Sequence, residues 1–178
     1  LKPVRMSSMV FGPYPELQNG ELGLCDLNLG YFPPAVEAGW EIVGLPVFSK
    51  RKPTYQFVFC RANAGIERPS DLRGKRIGSR SYRTALTVWG RGLLQEHHGL
   101  PWRETTWVVW TNEVFQVHTP DARIEAPSDP HKSVVQALLD ADVDAILTDI
   151  SDTQLMATLE HDGRVRRRDD ADANAKGK

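Results

Sequence analysis

The sequence predicts an α/β protein with a largely parallel sheet. Between residues 55 and 149, short β-branched or apolar segments alternate with amphipathic helical segments, which is the pattern of repeated strand–helix–strand units. Right-handed crossovers then place the helices against the faces of the sheet. Residues 1–54 lack this alternation and are rich in loop signals, so the character of the chain changes near residue 55.

Residues 1–54 are interrupted by turn sequences. The turn signals are Gly12-Pro13-Tyr14-Pro15, Asn19-Gly20 and Tyr31-Phe32-Pro33-Pro34. Segments 4–11 and 41–48 are predicted to be short strands.

The α/β part begins with an apolar strand over Tyr55–Cys60. A short helical turn starts at Pro69 or Ser70 and ends at Gly74, because proline suits the first turn of a helix and glycine its end. A strand over Arg76–Ser79 follows.

The clearest helical periodicity covers residues 83–98, and Gly99 supplies its stop. The apolar side chains at helical spacing are Ala85, Leu86, Val88, Trp89, Leu93 and Leu94. Gly90 and Gly92 inside this helix each cost about 1 kcal/mol relative to alanine. They therefore predict close packing against a neighbouring backbone.

Strand and helix signals continue along the rest of the chain. The predicted strands are Thr105–Trp110, Ala122–Ala126 and Val143–Leu147, and the predicted helices are His131–Asp140 and Asp152–Glu160. From Arg164 to Lys178 the chain is a run of charges, which predicts a solvated end.

The composition excludes several functional classes. The chain has 22 Lys and Arg residues against 23 Asp and Glu residues, whereas a dedicated nucleic-acid binder needs a basic surplus. No window approaches about 18 uninterrupted apolar residues, so we expect no membrane insertion. The first residues lack the apolar stretch of a signal peptide. This predicts a cytoplasmic protein, or a periplasmic one if a signal peptide was removed ahead of Leu1.

The sequence contains no recognisable metal or cofactor motif. Cys60 lies in an apolar run and is predicted to be a buried, inert thiol, while a disulfide with Cys25 is left open. Patterns of a nucleophile elbow, a Walker loop, a dinucleotide site and a His-Glu-x-x-His site are all absent. No metal site is predicted, and the cofactor stays unknown.

The candidate ligand site is the edge formed by the carboxyl ends of the predicted strands, where open α/β sheets bind ligands. The loop between the strand at Arg76–Ser79 and the long helix offers hydroxyl, guanidinium and backbone N–H groups that suit a carboxylate or phosphate. Its predicted substrate-binding residues are Arg80, Ser81, Tyr82, Arg83 and Thr84. The alternative is that Ser81 only caps the helix and both arginines face solvent.

Two further strand ends reach the same edge, at Trp110–Glu113 and at Leu147–Ser151. In the second of them, Thr148 is predicted to bind substrate and Asp149 is a candidate acid–base residue.

His131 is the other candidate acid–base residue, because the helix that begins near it points its N-terminus to this edge. Ser128-Asp129-Pro130 also explains a helix start there without catalysis. His97 and His98 lie at the far end of the long helix, roughly 22 Å from its start. We expect them to be surface residues that compensate the helix dipole.

Several segments are similar to one known family: Leu45–Phe48, Ala64–Ile66, Pro69–Gly78, Ser81-Tyr82, Thr84-Ala85, Val88–Gln95 and Leu138–Leu147. They resemble the 4,5-dihydroxyphthalate decarboxylase family, which is related to the type II periplasmic solute-binding proteins. The stretch from Tyr82 to Gln95 points to the decarboxylases, whereas Asp71–Gly78 is shared by many binding proteins. The resemblance covers about residues 41–150.

The resemblance implies a type II periplasmic-binding-protein-like fold, with one near-complete α/β lobe, an abbreviated first lobe and a ligand in the cleft. The implied division is an abbreviated lobe one at 1–54, a ligand-binding lobe two at 55–149, and a return helix with a charged tail at 150–178. Arg51 matches a family arginine and joins the substrate-binding residues, while Tyr55 stands where the family has histidine. The family continues beyond Arg167 through a histidine-containing stretch, so we expect acid–base groups to be missing here.

The resemblance also implies a decarboxylase acting on a hydroxylated aromatic dicarboxylate such as 4,5-dihydroxyphthalate. In that reaction Arg80 and Arg83 would anchor one carboxylate, and Tyr82 would stack on the ring or hydrogen-bond a hydroxyl. Two alternatives stay open: a solute-binding protein of the ABC-transporter type for a small organic anion, and an inactive truncated paralogue. The expected partner is a small aromatic or organic carboxylate, and a homo-oligomer is left open.

Overall fold

The computed structural model describes residues 14–47, 58–111, 113, 115, 119–148, 159 and 161–167. The chain divides into two compact units. The first comprises Leu1–Lys52 with Arg83–Ala85, and the second comprises Pro53–Tyr82 with Leu86–Lys178.

The described part of the first unit contains two short helices, α1 (Tyr14–Gln18) and α2 (Phe32–Glu37). Prolines occupy the first turn of α2, where their missing N–H groups cost no hydrogen bond. Its core is small, with Tyr31 and Ala35 buried.

The strand predicted over 41–48 is wrong for residues 41–47, which form no regular structure. Pro46 cannot donate to a strand ladder, and Val43, Leu45 and Val47 are all exposed. The alternating pattern is present in the sequence, but no strand in the described part of this unit pairs with it. Residue 48 and the strand predicted at 4–11 fall outside the described residues.

The second unit contains a six-stranded mixed sheet in the order β4-β3-β2-β5-β1-β6. Its strands are β1 (Val58–Arg61), β2 (Arg76–Ser79), β3 (Thr106–Val109), β4 (Arg123–Glu125), β5 (Ala145–Leu147) and β6 (Val165–Arg167). The four strands from β4 to β5 are parallel, while β1 runs antiparallel to both β5 and β6. The predicted, largely parallel sheet is therefore confirmed, and among the described strands β1 runs opposite to the others.

The two longer connections place one helix on each face of this sheet. The helix α3 (Ala85–His98) lies between β2 and β3, and α4 (Val134–Leu139) lies between β4 and β5. Leu94 of α3 packs in one core cluster with Ile77 and Trp107. Leu138 of α4 packs in the other with Val108.

The helix α4 is shorter than the predicted His131–Asp140. The side chain of Ser133 accepts a hydrogen bond from the Gln136 backbone N–H at 3.0 Å. Ser133 therefore caps the helix, and residues 128–130 are not its start as the sequence suggested.

The last strand corrects the interpretation of the charged end. Val165 begins β6, which pairs with β1, and its side chain is buried. This part of the charge run therefore belongs to the sheet. Of the predicted helix at 152–160, residues 152–158 and 160 lie outside the described residues, as do residues 168–178.

The two glycines inside α3 behave differently. A methyl group at Gly90 would approach Leu147 Cδ2 to 2.5 Å, so close packing is confirmed there, against a side chain of β5 and not against a backbone. A methyl group at Gly92 would meet nothing within 4 Å, so the same prediction is wrong for Gly92.

Cys60 is buried, as predicted, and both Cys25 and Cys60 are free thiols, so the disulfide that the sequence left open is not formed. None of the described helices combines the length and apolar character needed to cross a membrane.

Candidate functional site

The candidate site lies where β2 and its neighbours end. The chain leaves β2 through α3 to reach β3 on one side, and it returns through α4 to reach β5 on the other side. The border between β2 and β5 is therefore the point at which the strand order reverses, which is where open α/β sheets bind ligands. The loop after Ser79 and the residue Thr148 after β5 follow the strands at this border.

Main-chain hydrogen bonds continue past the ends of β2 and β3. The Trp110 N–H donates to the Ser79 carbonyl at 3.3 Å, and the Thr111 N–H donates to the Arg80 carbonyl at 2.9 Å. The start of the loop is therefore held by the neighbouring strand, independently of its side chains.

The central feature of the loop is that its residues Ser81 and Tyr82 bind the carboxylate of Glu113. Ser81 Oγ donates to Glu113 Oε1 at 2.9 Å and lies 3.1 Å from Glu113 Oε2. The Tyr82 backbone N–H donates to the same Oε1 at 2.5 Å. Hydrogen bonds to an ionised acceptor are roughly twice as strong as neutral ones. The loop therefore offers donors arranged to hold one carboxylate group.

Ser81 does not cap the long helix. The helix α3 begins at Ala85, four residues later, and the Ser81 hydroxyl is fully buried against Glu113. Sequence reasoning placed Glu113 at a neighbouring strand end but did not connect it with Ser81, because the two residues are 32 positions apart.

The Tyr82 ring lies in the core of the second unit. Only 4% of the residue is exposed, and its ring meets that of Trp107 edge to face at 6.2 Å. The Arg91 guanidinium carbon lies 3.6 Å from the ring centroid, and Arg91 Nη1 donates to the Tyr82 carbonyl at 2.6 Å. Protein groups therefore cover the ring in this structure, and its role towards a substrate, by stacking or by a hydrogen bond to a hydroxyl, stays a prediction. Tyr82 faces Glu113 with its backbone N–H.

The hydroxyls of Ser79 and Thr87 form a second contact that stabilises the loop. Ser79 Oγ and Thr87 Oγ1 are 2.9 Å apart, and Ser79 Oγ donates to the Ser81 carbonyl at 3.3 Å. Both residues are buried. These bonds connect the end of β2 with the first turn of α3 and orient Ser81.

In the first unit, residues 83–85 are held by Asn28 and Gly30, which sequence reasoning missed. Asn28 Oδ1 accepts from the Gly30 N–H at 3.0 Å and from the Ala85 N–H at 2.8 Å, so it satisfies a terminal N–H of α3. A methyl group at Gly30 would overlap the Arg83 carbonyl oxygen. The Asn28-Leu29-Gly30 sequence is a turn signal that could have drawn attention to this segment.

The remaining predicted binding residues differ in exposure. Arg80 is exposed, as the solvent-facing alternative for it requires, whereas Arg83 is half-buried. Thr84 and Thr148 are buried. Arg51 lies outside the described residues.

Of the two acid–base candidates, His131 is described and Asp149 is not. His131 is exposed, in the turn before α4, and its N–H donates to Asp129 Oδ1 at 2.9 Å. The next residue, Lys132, accepts a 2.7 Å hydrogen bond on its carbonyl from Trp110 Nε1, which places this turn beside the end of β3.

A second polar cluster near this turn pairs one lysine with two aspartates. Lys132 Nζ lies 2.8 Å from Asp142 Oδ2 and 2.9 Å from Asp140 Oδ2. The hydrogen bonds that Lys132 donates to these two carboxylates raise its pKa, and the hydrogen bond from Lys132 lowers the pKa of Asp140. Within the described part of the chain, no group of three His, Cys, Asp or Glu residues is arranged to hold a metal ion.

Half of the chain is similar in sequence to two curated proteins. Over 92 residues, 51% of the chain, it is 35% identical to a protein named 4,5-dihydroxyphthalate decarboxylase from Pseudomonas putida. It is 34% identical over 92 residues to the protein of that name from Comamonas testosteroni. The chain spans 36% and 28% of these two relatives. No protein-family model matches it.

Among solved structures, the chain is similar to the periplasmic aliphatic sulphonate binding protein SsuA from Escherichia coli. The TM-score is 0.57 at 23% identity, and the match covers 90% of this chain and 44% of that one. The predicted resemblance to the decarboxylases and the predicted periplasmic-binding-protein-like α/β fold are confirmed.

Proposed function

We propose that the loop after β2 binds the carboxylate of a small organic acid, and that the chain acts in the decarboxylation of a hydroxylated aromatic dicarboxylate such as 4,5-dihydroxyphthalate. The observation that carries the proposal is the Glu113 carboxylate held on Ser81 Oγ and the Tyr82 N–H. These two groups donate hydrogen bonds to a carboxylate of this chain, so they could donate to the carboxylate of a ligand in the same way.

The chemistry assigns separate tasks to the protein. The bond between a ring carbon and one carboxylate breaks, CO2 leaves, and a proton is added to that carbon. The second carboxylate must stay anchored while this happens, and Ser81 and the Tyr82 N–H would anchor it. The exposed Arg80 guanidinium, next to them in the chain, would supply positive charge for the approach of a dianion.

The residue that donates the proton to the ring carbon is also part of the proposal. His131 and Asp149 remain the candidate acid–base residues, and Thr148, Arg83, Thr84 and Arg51 remain candidate binding residues. The names of the two curated relatives support the substrate class, since both are called 4,5-dihydroxyphthalate decarboxylases.

The test is release of CO2 from 4,5-dihydroxyphthalate by the purified protein. We expect turnover in the wild-type protein and a loss of about 10–100-fold in kcat/KM for Ser81→Ala, the cost of one hydrogen bond to a charged group. Ser70→Ala is the matched control, because Ser70 lies in the short helical turn before β2, and it should keep full activity. No CO2 release from a folded sample would contradict the proposal.

The second candidate function is binding of a small organic anion without chemistry. It is favoured by the likeness of the fold to that of a solved periplasmic binding protein. Calorimetric titration with phthalate separates the two, because binding without CO2 release from the dihydroxy compound identifies a solute-binding protein. Neither binding nor release would identify an inactive paralogue. A cytoplasmic location and a homo-oligomer stay predictions, which cell fractionation and light scattering would test.

A further inference from the structure

We propose that Glu113 is an internal competitor of the ligand: its carboxylate occupies the donors of Ser81 and Tyr82, and it must leave before a ligand carboxylate can bind. The inference rests on the proposed function of these donors and adds a regulatory contact to it. Under this proposal, binding is an exchange of one carboxylate for another.

The geometry makes the two carboxylates mutually exclusive. Glu113 Oε1 accepts both from Ser81 Oγ at 2.9 Å and from the Tyr82 N–H at 2.5 Å. A ligand oxygen in hydrogen-bond contact with the same donors would overlap Oε1. A carboxylate ligand placed immediately beside it would be repelled by the Glu113 carboxylate.

The loop has contacts other than those with Glu113 that hold its position. Main-chain hydrogen bonds from Trp110 and Thr111 hold its first residues, Thr87 supports Ser79, and Arg91 binds the Tyr82 carbonyl. Glu113 itself is only half-buried, so its carboxylate can return to water. The donors can therefore be vacated while their scaffold stays in place.

The tether gives Glu113 an advantage over a free anion. A group attached to the chain competes at an effective concentration in the millimolar range or above, whatever the concentration of ligand. The apparent Kd of a ligand equals its intrinsic Kd divided by the fraction of protein with vacant donors. If Glu113 occupies the donors in about 90–99% of molecules, its removal tightens ligand binding about 10–100-fold.

The experiment compares wild-type protein with Glu113→Ala and Glu113→Gln. Acetate is titrated at constant ionic strength, and its binding is followed by the chemical shift of the Tyr82 amide. We expect half-saturation at a concentration at least 10-fold lower in Glu113→Ala than in the wild type. Glu113→Gln keeps one acceptor oxygen and loses the charge, so it should fall between the two.

Equal or weaker acetate binding in Glu113→Ala would overturn the inference, since Glu113 would then support the site or be irrelevant to it. If the amide spectrum shows that Glu113→Ala is unfolded, the same comparison is made with Glu113→Gln. Acetate binding to Glu113→Gln that is no tighter than to the wild type would then overturn the inference. Adding Ser81→Ala to either variant should abolish the gain.

Phthalate distinguishes failure of this inference from failure of the proposed function. If Glu113→Ala binds acetate more tightly but binds phthalate no better than acetate, the internal competitor is supported and the aromatic dicarboxylate class fails. If phthalate binds tightly to the wild type and no tighter to the variant, the ligand class holds and the internal competitor fails.

Discussion

The guanidinium of Arg91 lies 3.6 Å from the centroid of the Tyr82 ring and donates a 2.6 Å hydrogen bond to the Tyr82 carbonyl. One side chain of α3 thereby fixes both the ring and the main chain of the residue whose N–H faces Glu113. The ring in turn packs on Trp107 of β3. The donor that we assign to the ligand is therefore held by the core of the second unit.

Arg91→Ala is expected to lower the free energy of unfolding by about 2 kcal/mol, because it removes a partly buried cation–π contact and a charged hydrogen bond. Arg103→Ala is the matched control. Arg103 lies 5.4 Å from the Trp102 ring on an exposed side chain, and its removal should cost under about 0.5 kcal/mol. Urea unfolding measures both variants, and equal losses would contradict the role of Arg91.

Ser81 and Glu113 should be energetically coupled. In a double-mutant cycle with Ser81→Ala and Glu113→Ala, we expect a coupling of about 1–2 kcal/mol, since a buried hydroxyl donates to a carboxylate. The exposed pair Gln136 and Asp140, joined at 2.7 Å, is the control and should give about 0.3 kcal/mol. A coupling at Ser81 no larger than that of the control would show that the contact contributes little in solution.

Alanine should have different effects at the two glycines of α3. Gly92→Ala is expected to stabilise the protein by about 0.5–1 kcal/mol, because it improves helix propensity and meets no neighbour within 4 Å. Gly90→Ala should be less stable than Gly92→Ala by about 1–3 kcal/mol, because the new methyl group must displace Leu147. Thermal and urea unfolding provide the comparison. Equal stabilisation would mean that Leu147 moves aside at no cost.

Gly30→Ala should destabilise the first unit by about 2 kcal/mol or more, because its methyl group would overlap a main-chain carbonyl oxygen, that of Arg83. Gly23→Ala, at a position with no neighbour within 4 Å, is the control and should be close to neutral. Hydrogen exchange at Ala85, whose N–H is bound by Asn28, reports the local effect. Unchanged protection there would contradict the prediction.

The pH dependence of stability should include a contribution from Asp162 and Arg164. Hydrogen bonds from the Arg164 side chain and backbone lower the pKa of Asp162 to about 2. Because the folded pKa lies below the unfolded value of about 3.9, the stabilisation is complete above about pH 4 and is lost as the pH falls towards 2. Carboxyl NMR titration should give a pKa near 2 that rises towards 4 in Arg164→Gln. Arg166→Gln, whose charge pairs with Glu67, should leave it unchanged.

Elements with strong local signals were predictable from the sequence. The strand at Arg76–Ser79 matches residue for residue, and α3 ends at His98, where Gly99 adopts a φ of 59°. Short apolar runs and a glycine stop act through neighbouring residues, so their effect is visible in sequence. The strand predicted at 41–48 had an alternating apolar pattern, but its described residues pair with no described strand, and a strand without a partner leaves its backbone groups unsatisfied.

The sequence predicted where the candidate site lies but not the contacts within it. Strand alternation located the edge of the sheet and the loop from Arg80 to Thr84, since ligands of such sheets bind at strand ends. The chemistry within the loop depended on contacts across 31 and 32 positions, from Tyr82 and Ser81 to Glu113. No local pattern encodes such pairs, because they form only after β2 and β3 are aligned.

By itself, the sequence determined the fold class and the resemblance to the decarboxylases, and it predicted the loop that we propose as the carboxylate site. Only the tertiary structure decided that Val165–Arg167 joins the sheet, that the Tyr82 ring is enclosed in the core, and that Glu113 holds the donors of Ser81 and Tyr82. The physical reason is the same in each case. Propensity and hydrophobic period act over a few residues, whereas strand pairing, ring burial and charge-assisted hydrogen bonding depend on groups that the fold brings together from distant parts of the chain.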